Sequence, residues 1–246
     1  MTLQVLRRRR GLGKNYRPLL EQLECRVVPN LDFTGGFAGA GGLLSLNGSA
    51  TVSGSVLRLT HGREGEAGSA FATAQQDITK FTTDFKFLLS SAKADGLTFT
   101  IQGNNATALG PPGGGLGYGP VEASGTGGIG KSVAVKFDLF DNQGEGPDST
   151  GLYTNGAAPT SAGSIDLRST GINLHVGHVF DVAMTYDGTT LNVTITDTVT
   201  MAFAKQAYAV DIPTLVGGST AFVGFTASTG GLTAMQDILS WTYTPM

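Results

Sequence analysis

Short segments in which apolar residues alternate with polar ones recur from residue 31 to the C-terminus of this chain. In 81–89, FTTDFKFLL, every second residue is apolar or a threonine, and 96–103, GLTFTIQG, repeats the alternation. A period of two is that of a strand with one buried face. Segment 178–197 contains two such runs around Asp187-Gly188, a pair typical of hairpin turns. Because no run has the length and period of an ordinary helix, the sequence predicts an antiparallel sandwich or barrel.

The composition agrees with this fold class and narrows the functions. Charged residues make up 14% of the 246 residues and 37 are glycine, so the chain is rich in turns. One cysteine, Cys25, excludes an intrachain disulfide, and with three histidines it does not indicate a zinc site. No apolar run of about 18 residues is present, so we expect no membrane span.

Residues 1–30 differ from the rest of the chain and form the first of two predicted regions. They carry seven Lys and Arg against two Glu, so the formal charge of −3 divides into +5 here and −8 elsewhere. Because the main part is acidic, we expect no nucleic-acid partner. The stretch RPLLEQLECR at 17–26 resembles N-terminal sorting segments of large bacterial surface proteins, which implies an extracellular or cell-surface location. A disordered basic tail is the alternative.

Residues 133–142, VAVKFDLFDN, read as a buried strand that runs directly into oxygen-bearing side chains. Apolar residues alternate along it up to Leu139, and Asp138, Asp141 and Asn142 lie at its end. Carboxylate, amide and carbonyl oxygens on one short loop are ligands that calcium prefers. The competing interpretation is that these residues only cap a turn.

Several stretches, in order along the chain, are similar to those of the legume-type (L-type) lectins. They are LSLNGSATVSGSVLRLT (44–60), FTTDFKF with ADGLTFTI, GGGLGYG (113–119), VAVKFDLFDN, and the closing VGFTASTGGLTAMQDILSWTYT (223–244). The similarity runs from about residue 31 to 245, so we expect one lectin-like domain over 31–246 in a bacterial member of the family. The resemblance implies a concanavalin A-like jelly-roll sandwich of two antiparallel sheets.

The resemblance implies a calcium site on the loop after the VAVKFDLF strand. The ligands expected from the family pattern are Asp138, Asn142, the Phe140 carbonyl and one of two downstream carboxylates, Glu145 or Asp148. The family's neighbouring manganese site has a Glu where this chain has Lys136. An ammonium group cannot ligate a metal, so we expect at most one calcium ion and no manganese, with Lys136 supplying a fixed positive charge instead.

The resemblance also implies a sugar pocket formed by four loops above the metal. Asp95 would accept hydrogen bonds from two sugar hydroxyls, Phe140 would stack on the apolar face of a pyranose, and Asn142 would donate its amide. The expected pocket residues are Asp95, Gly114, Gly115, Phe140, Asn142, Ser228, Gly230, Gly231 and Leu232. Glycans or glycoconjugates are the expected partners. A homo-oligomer, which would add avidity, stays open.

Two other classes of function compete with a lectin. A sandwich glycosidase needs two carboxylates that flank the scissile bond, whereas the comparable strand register here reads Lys136, Asp138, Asp141. No Ser-His-Asp set is apparent either, so we expect a binding module and not an enzyme. A structural or adhesive sandwich without sugar binding is the main alternative, because Lys136 and a shortened metal loop depart from the family pattern.

Overall fold

Two antiparallel β-sheets of eight strands each make up most of the described chain. The computed structural model describes residues 30–122, 125–160 and 162–246, and its strands are numbered in chain order. The first sheet contains β1 (Leu31–Asp32), β3 (Thr51–Ser53), β4 (Val56–His61), β7 (Phe81–Ser90), β12 (Val179–Tyr186), β13 (Thr190–Asp197), β14 (Phe203–Ala209) and β16 (Met235–Pro245). The second sheet contains β2 (Leu44–Gly48), β5 (Ala67–Ala72), β6 (Gln76–Asp77), β8 (Gly96–Gln102), β9 (Ser132–Asp138), β10 (Ser149–Thr154), β11 (Ile165–Asp166) and β15 (Thr220–Ser228). The predicted all-β sandwich is confirmed.

The connectivity places strands that are distant in the chain side by side. The first sheet has the order β14-β13-β12-β7-β16-β4-β3, with β1 beside β16, and the second has the order β11-β10-β9-β8-β15-β5-β2, with β6 beside β15. Helical segments are short: α1 (Ile212–Val216) and 3₁₀ turns at Arg168–Thr170 and Leu174–Val176. In the part of the chain that the structure describes, no helix is long and apolar enough to cross a membrane.

The N-terminal region of the predicted division lies outside the described residues, apart from Asn30. The predictions of a sorting segment or a basic tail over 1–30 therefore stay predictions. The same holds for the boundary between 1–30 and 31–246.

Strand β7 shows how the alternating segments produce the core. Phe81, Phe85 and Phe87 are buried, whereas the residues between Phe85 and Phe87 and after Phe87 are partly exposed. Phe85 packs edge-on against Phe225 with ring centroids 5.0 Å apart, and Phe225 packs in the same way against Trp241 at 5.0 Å. These rings come from both sheets, so the main hydrophobic core fills the space between them.

The second sheet is buried on both faces around β8 and β9. Every residue of these two strands is buried, because a loop carrying Tyr118 and Ile129 packs on the outer face. These two side chains form a second small cluster with Phe71, Ala134 and Tyr153. Because β9 is buried on both faces, the charged residue Lys136 lies in the interior.

Strands β9, β8 and β15 are neighbours in the second sheet, and the start of β8 lies beside the ends of β9 and β15. Gly96, the first residue of β8, lies opposite Asp138, the last residue of β9, and opposite Ser228, the last residue of β15. The antiparallel register therefore brings together the residue before β8 and the loops that follow β9 and β15. These segments contain most of the site residues predicted from the sequence.

Candidate functional site

A surface cavity of about 340 Å³ lies where these three strands meet. It is lined by Ala94, Asp95, Gly113, Gly114, Val121, Phe140, Asn142, Gly230, Gly231 and Leu232. Seven of the nine residues predicted to bind sugar are in this set. Four chain segments thus meet at one place, although the roles of these residues stay predictions.

The other two predicted pocket residues, Gly115 and Ser228, do not line the cavity. Ser228 is fully buried, and its Oγ donates a hydrogen bond to the Gly113 carbonyl at 2.6 Å. A Cβ on Gly115 would collide with the backbone oxygen of Gly119. Both residues therefore support the loop that carries Gly113 and Gly114.

Three lining residues were not predicted from the sequence: Ala94, Gly113 and Val121. The first two lie inside the motifs ADGLTFTI and GGGLGYG, next to residues that were predicted. Val121 follows a glycine-rich loop and has no distinguishing pattern. Val121, Phe140 and Leu232 are 37%, 37% and 44% exposed, which gives the cavity an apolar rim.

Asp95 supplies a buried carboxylate to the cavity. The residue is 4% exposed, and its Oδ2 has no hydrogen-bond partner among the described residues. Its backbone is held on both sides, because its N–H donates to the Ser228 carbonyl at 3.2 Å and its carbonyl accepts from Leu139 N–H at 2.8 Å. Burial raises the pKa of Asp95 to about 6, against the lowering effect of a hydrogen bond from the Gly230 N–H. An unpartnered buried oxygen is costly, so this atom suits a ligand hydroxyl.

Two glycines keep space beside the polar groups of the cavity. A Cβ on Gly114 would overlap the side-chain amide of Asn142, and a Cβ on Gly230 would lie 3.2 Å from Asp95 Oδ2. The Oδ1 of Asn142 is itself buried and has no partner among the described residues. Glycine at both positions therefore leaves the amide and the carboxylate free to meet a ligand.

A buried ion pair lies at the end of β9, next to the loop that carries Phe140. Lys136 Nζ is 2.8 Å from Asp138 Oδ2, and the two side chains are 1% and 0% exposed. Asp138 Oδ1 accepts a hydrogen bond from the Phe140 N–H at 3.1 Å. Burial raises the pKa of Asp138 to about 7, even though the nearby Lys136 ammonium acts to lower it. Lys136 therefore compensates the charge of Asp138, which in turn holds the start of the Phe140 loop.

The two downstream carboxylates have different partners. Glu145 bonds within the loop that carries Asn142, whereas Asp148 bonds to a residue outside that loop. Glu145 Oε1 accepts from the Asn142 N–H at 3.0 Å, and its other oxygen accepts from the next backbone N–H. Its negative charge adds to burial in raising the pKa of Asp138. Asp148 Oδ1 instead accepts from the Leu174 N–H at 2.6 Å. The geometry therefore favours Glu145 as the fourth ligand of a cation.

The oxygen donors of this loop are of the types that a hard cation such as calcium takes. Asn142 Oδ1 is buried, finds no partner within residues 30–122, 125–160 and 162–246, and lies between two carboxylates in the sequence, Asp138 and Glu145. Among the described residues no three His, Cys, Asp or Glu side chains form a group that could hold a metal, so a site here depends on amide and carbonyl oxygens as well. The Lys136 ammonium occupies Asp138 Oδ2 at 2.8 Å, so that oxygen is not left for a second ion. The predictions of calcium and of no manganese both stay predictions.

Solved structures share this fold over most of the chain. Lectin I-B4 from Griffonia simplicifolia, in a metal-free form, is 20% identical with a TM-score of 0.75, covering 88% of this chain and 98% of that one. A lectin from Bauhinia forficata in complex with GalNAc is 24% identical with a TM-score of 0.73, covering 87% and 97%. Arcelin-5, a lectin-like defense protein from Phaseolus vulgaris, is 23% identical with a TM-score of 0.68, covering 87% and 96%. At these identities the likeness shows the fold alone.

The sequence model of one family covers nearly the whole described chain. The legume lectin domain matches residues 31–245, a range that contains both sheets and every residue that lines the cavity. The family predicted from the sequence motifs is thereby confirmed, whereas the bacterial origin and the sorting segment stay predictions. The chain belongs to the legume lectin domain family.

Proposed function

We propose that this chain is a carbohydrate-binding module that holds a neutral sugar in the Asp95 cavity. The observation that carries the proposal is the buried Asp95 Oδ2, which has no partner among the described residues, beside an exposed aromatic ring, Phe140. Neutral sugars offer hydroxyl donors and apolar C–H faces, and a small cavity with an acceptor and a ring complements both. The Bauhinia forficata lectin, which has the same fold, was solved with GalNAc.

Each polar group of the cavity has a role in this proposal. Asp95 accepts hydrogen bonds from sugar hydroxyls, and Asn142 donates one from its Nδ2. The backbone N–H of Gly114 adds a donor at close range, because glycine leaves the backbone accessible. The Phe140 ring covers one face of the pyranose. Glycans or glycoconjugates are the partners that follow, and with a sorting role for residues 1–30 they would be met at the cell surface.

We further propose that one calcium ion supports this pocket, held by Asp138, Asn142, the Phe140 carbonyl and Glu145. Calcium would supply positive charge that orients the Asn142 oxygen and leaves its Nδ2 for the sugar. The loop has a need for such charge, because Asp138 and Glu145 repel each other. Lys136 offsets one of these two negative charges.

A binding role fits the cavity better than catalysis does. Among the described residues that line it, Asp95 is the only carboxylate. Glycoside hydrolysis by the usual mechanism needs two carboxylates about 5–9.5 Å apart on either side of the bond. Asp138 does not supply the second one, because it is fully buried and paired with Lys136.

The second candidate function is a structural or adhesive sandwich that binds no sugar. The Lys136–Asp138 pair favours it, because an internal cation can hold the Phe140 loop in the absence of any ligand. The two candidates share the fold and differ only in what the Asp95 cavity does. Direct binding measurements therefore separate them.

A glycan-array screen of the full chain, run with calcium and again with a chelator, tests the proposed function. We expect binding to glycans with neutral terminal sugars in calcium, and a signal at least about tenfold weaker with the chelator, because the Asn142 amide loses its support. Binding that is equal with and without chelator would contradict the calcium part and leave Lys136 as the cation that compensates Asp138. An array with no bound glycan in either condition would overturn the proposal in favour of the structural sandwich.

Glycan binding is expected to weaken below pH 6. Asp95 has a pKa of about 6, so at pH 5 roughly nine-tenths of it is protonated and one oxygen no longer accepts a hydrogen bond. Affinity for the strongest array glycan should therefore be about tenfold lower at pH 5 than at pH 7 in calorimetric titrations. Equal affinities at the two pH values, with the protein folded at both, would contradict the role of Asp95.

The same titration has the opposite sign for stability. Burial raises the pKa of Asp95 in the folded protein from 3.8 to about 6, so the folded state takes up this proton at a higher pH than the unfolded chain. The stabilising contribution of this group is therefore complete below about pH 4 and is lost as the pH rises to about 6. Protonation of Asp95 at low pH therefore stabilises the folded state and weakens sugar binding.

A further inference from the structure

The loop between β4 and β5, HGREGE (residues 61–66), packs against the loop that follows β15, which is the last of the loops that line the cavity. Hydrogen bonds to the Glu66 side chain set the shape of the 61–66 loop. Glu66 Oε2 accepts from the His61 N–H at 2.7 Å and from the Arg63 N–H at 3.0 Å. The Glu66 side chain is 11% exposed, so these bonds are largely shielded from water. The Glu66 side chain therefore fixes the conformation of the 61–66 loop.

Thr229 connects this loop to the cavity. It is fully buried, and its Oγ1 donates to the Arg63 carbonyl at 2.6 Å and accepts from the Glu66 N–H at 2.9 Å. Its own N–H donates to the Glu66 carbonyl at 2.9 Å. One residue further on, the Gly230 carbonyl accepts from the Gly65 N–H at 3.0 Å. Hydrogen bonds thus join the two loops through two consecutive residues of the last cavity loop.

The residues held in this way form one side of the cavity. Residues 230–232 follow Thr229 directly and line it. Gly231 and Leu232 have little packing of their own, because no atom of the described residues lies within 4 Å of a Cβ position on Gly231 and Leu232 is 44% exposed. The next backbone bond along the loop comes from the Lys93 N–H, at 3.1 Å from the carbonyl of residue 233. The start of 230–232 is therefore held at Thr229, whose carbonyl also accepts from the Gly113 N–H at 3.1 Å.

We infer that the 61–66 loop is part of the glycan site and that Thr229 is the positioning residue through which it acts. The inference rests on the proposed function, because it concerns the wall beside the Asp95 carboxylate. Gly230 lies directly beside that carboxylate, because a Cβ on it would be 3.2 Å from Asp95 Oδ2, so a shift of Gly230 changes the surroundings of the group that would meet the sugar hydroxyls. Loosening the 61–66 loop weakens binding and reduces discrimination between sugars, because the wall then adopts several positions.

The test uses the full chain with variants of both loops. Thr229→Val keeps the shape of the side chain and removes both hydrogen bonds of the hydroxyl, whereas Thr229→Ser retains the hydroxyl. Glu66→Ala removes the acid that shapes the supporting loop and is a second, independent variant. The matched control is Thr83→Val, because Thr83 is equally buried in the first sheet, where its Oγ1 donates to the Thr242 carbonyl at 2.7 Å and accepts from Trp241 Nε1 at 3.0 Å.

Amide hydrogen exchange of the sugar-free protein measures the coupling without any ligand. We expect amides of 229–232 to exchange about tenfold faster in Thr229→Val and Glu66→Ala than in the wild type, Thr229→Ser and Thr83→Val. Affinity for the glycan with the strongest wild-type array signal should fall about tenfold in the same two variants, with a narrower spread of affinities across the array.

The outcomes separate this inference from the proposed function. Unchanged exchange at 229–232 in both Thr229→Val and Glu66→Ala would overturn the inference, whatever the chain binds. Faster exchange with unchanged affinity would overturn it as well, because the support would then have no effect on the site. Absence of glycan binding by the wild-type chain would overturn the proposed function, and exchange would still decide whether the two loops are coupled.

Discussion

Replacing Lys136 by Met is expected to lower the free energy of unfolding by about 3–5 kcal/mol at pH 8. The Lys136 and Asp138 side chains are 1% and 0% exposed, so the substitution leaves a carboxylate in the interior without its counter-ion. Burial already raises the pKa of Asp138, and Lys136 opposes that rise. Without the ammonium, Asp138 binds a proton more readily, so the loss should be smaller at pH 5 than at pH 8.

A surface ion pair provides the control for this substitution. Lys86 and Asp181 pair on the outer face of the first sheet, where their side chains are 44% and 41% exposed. Lys86→Met should change the free energy of unfolding by less than about 1 kcal/mol. Both variants are measured by chemical denaturation in the presence of a chelator. Equal, small losses for the two lysines would contradict a buried charge pair at the end of β9.

Replacing Asp95 by Asn is expected to reduce glycan affinity at least about a hundredfold while the protein stays folded. The carboxylate accepts hydrogen bonds at two oxygens, whereas an amide presents a donor in place of one of them. The sugar hydroxyl that meets this donor loses its acceptor in a buried site. Titration calorimetry with the strongest array glycan measures the loss.

The same variant should be no less stable than the wild type at pH 7. Asp95 Oδ2 is buried without a partner in the described part of the chain, and burial raises the pKa of Asp95 to about 6, so a neutral amide removes an unfavourable charge. Asp84→Asn, on the outer face of the first sheet, is the control and should leave binding unchanged. Residual affinity of Asp95→Asn within about threefold of the wild type would show that the pocket does not depend on this carboxylate.

The local pattern of the sequence was sufficient for the strands, and the resemblance to the legume-type lectins was sufficient for much of the cavity. The alternation in β7 corresponds to buried and partly exposed residues in the structure, and the Asp187-Gly188 turn joins β12 to β13. Asp95, Phe140 and Asn142 could be predicted because each lies in a motif that resembles one of the legume-type lectins. The antiparallel register of β8, β9 and β15 then brings these residues to the same end of the three strands.

Contacts between loops that are far apart in the chain could not be predicted in this way. Val121 reaches the cavity from a glycine-rich loop without periodicity. Thr229 lies within a predicted loop, but its partners are 163 and 166 residues away. The choice between Glu145 and Asp148 depended on which way each side chain turns, and only the structure shows that Asp148 bonds to Leu174.

A crystal structure of the full chain with the strongest array glycan and calcium tests the central claim most directly. The account predicts a sugar ring against Phe140, with hydroxyls within hydrogen-bond distance of the Asp95 carboxylate and the Asn142 amide. A sugar bound elsewhere, such as the hollow of about 220 Å³ beside Asp84 and Thr242 on the first sheet, would contradict it. So would a sugar in the Asp95 cavity that makes no contact with Asp95.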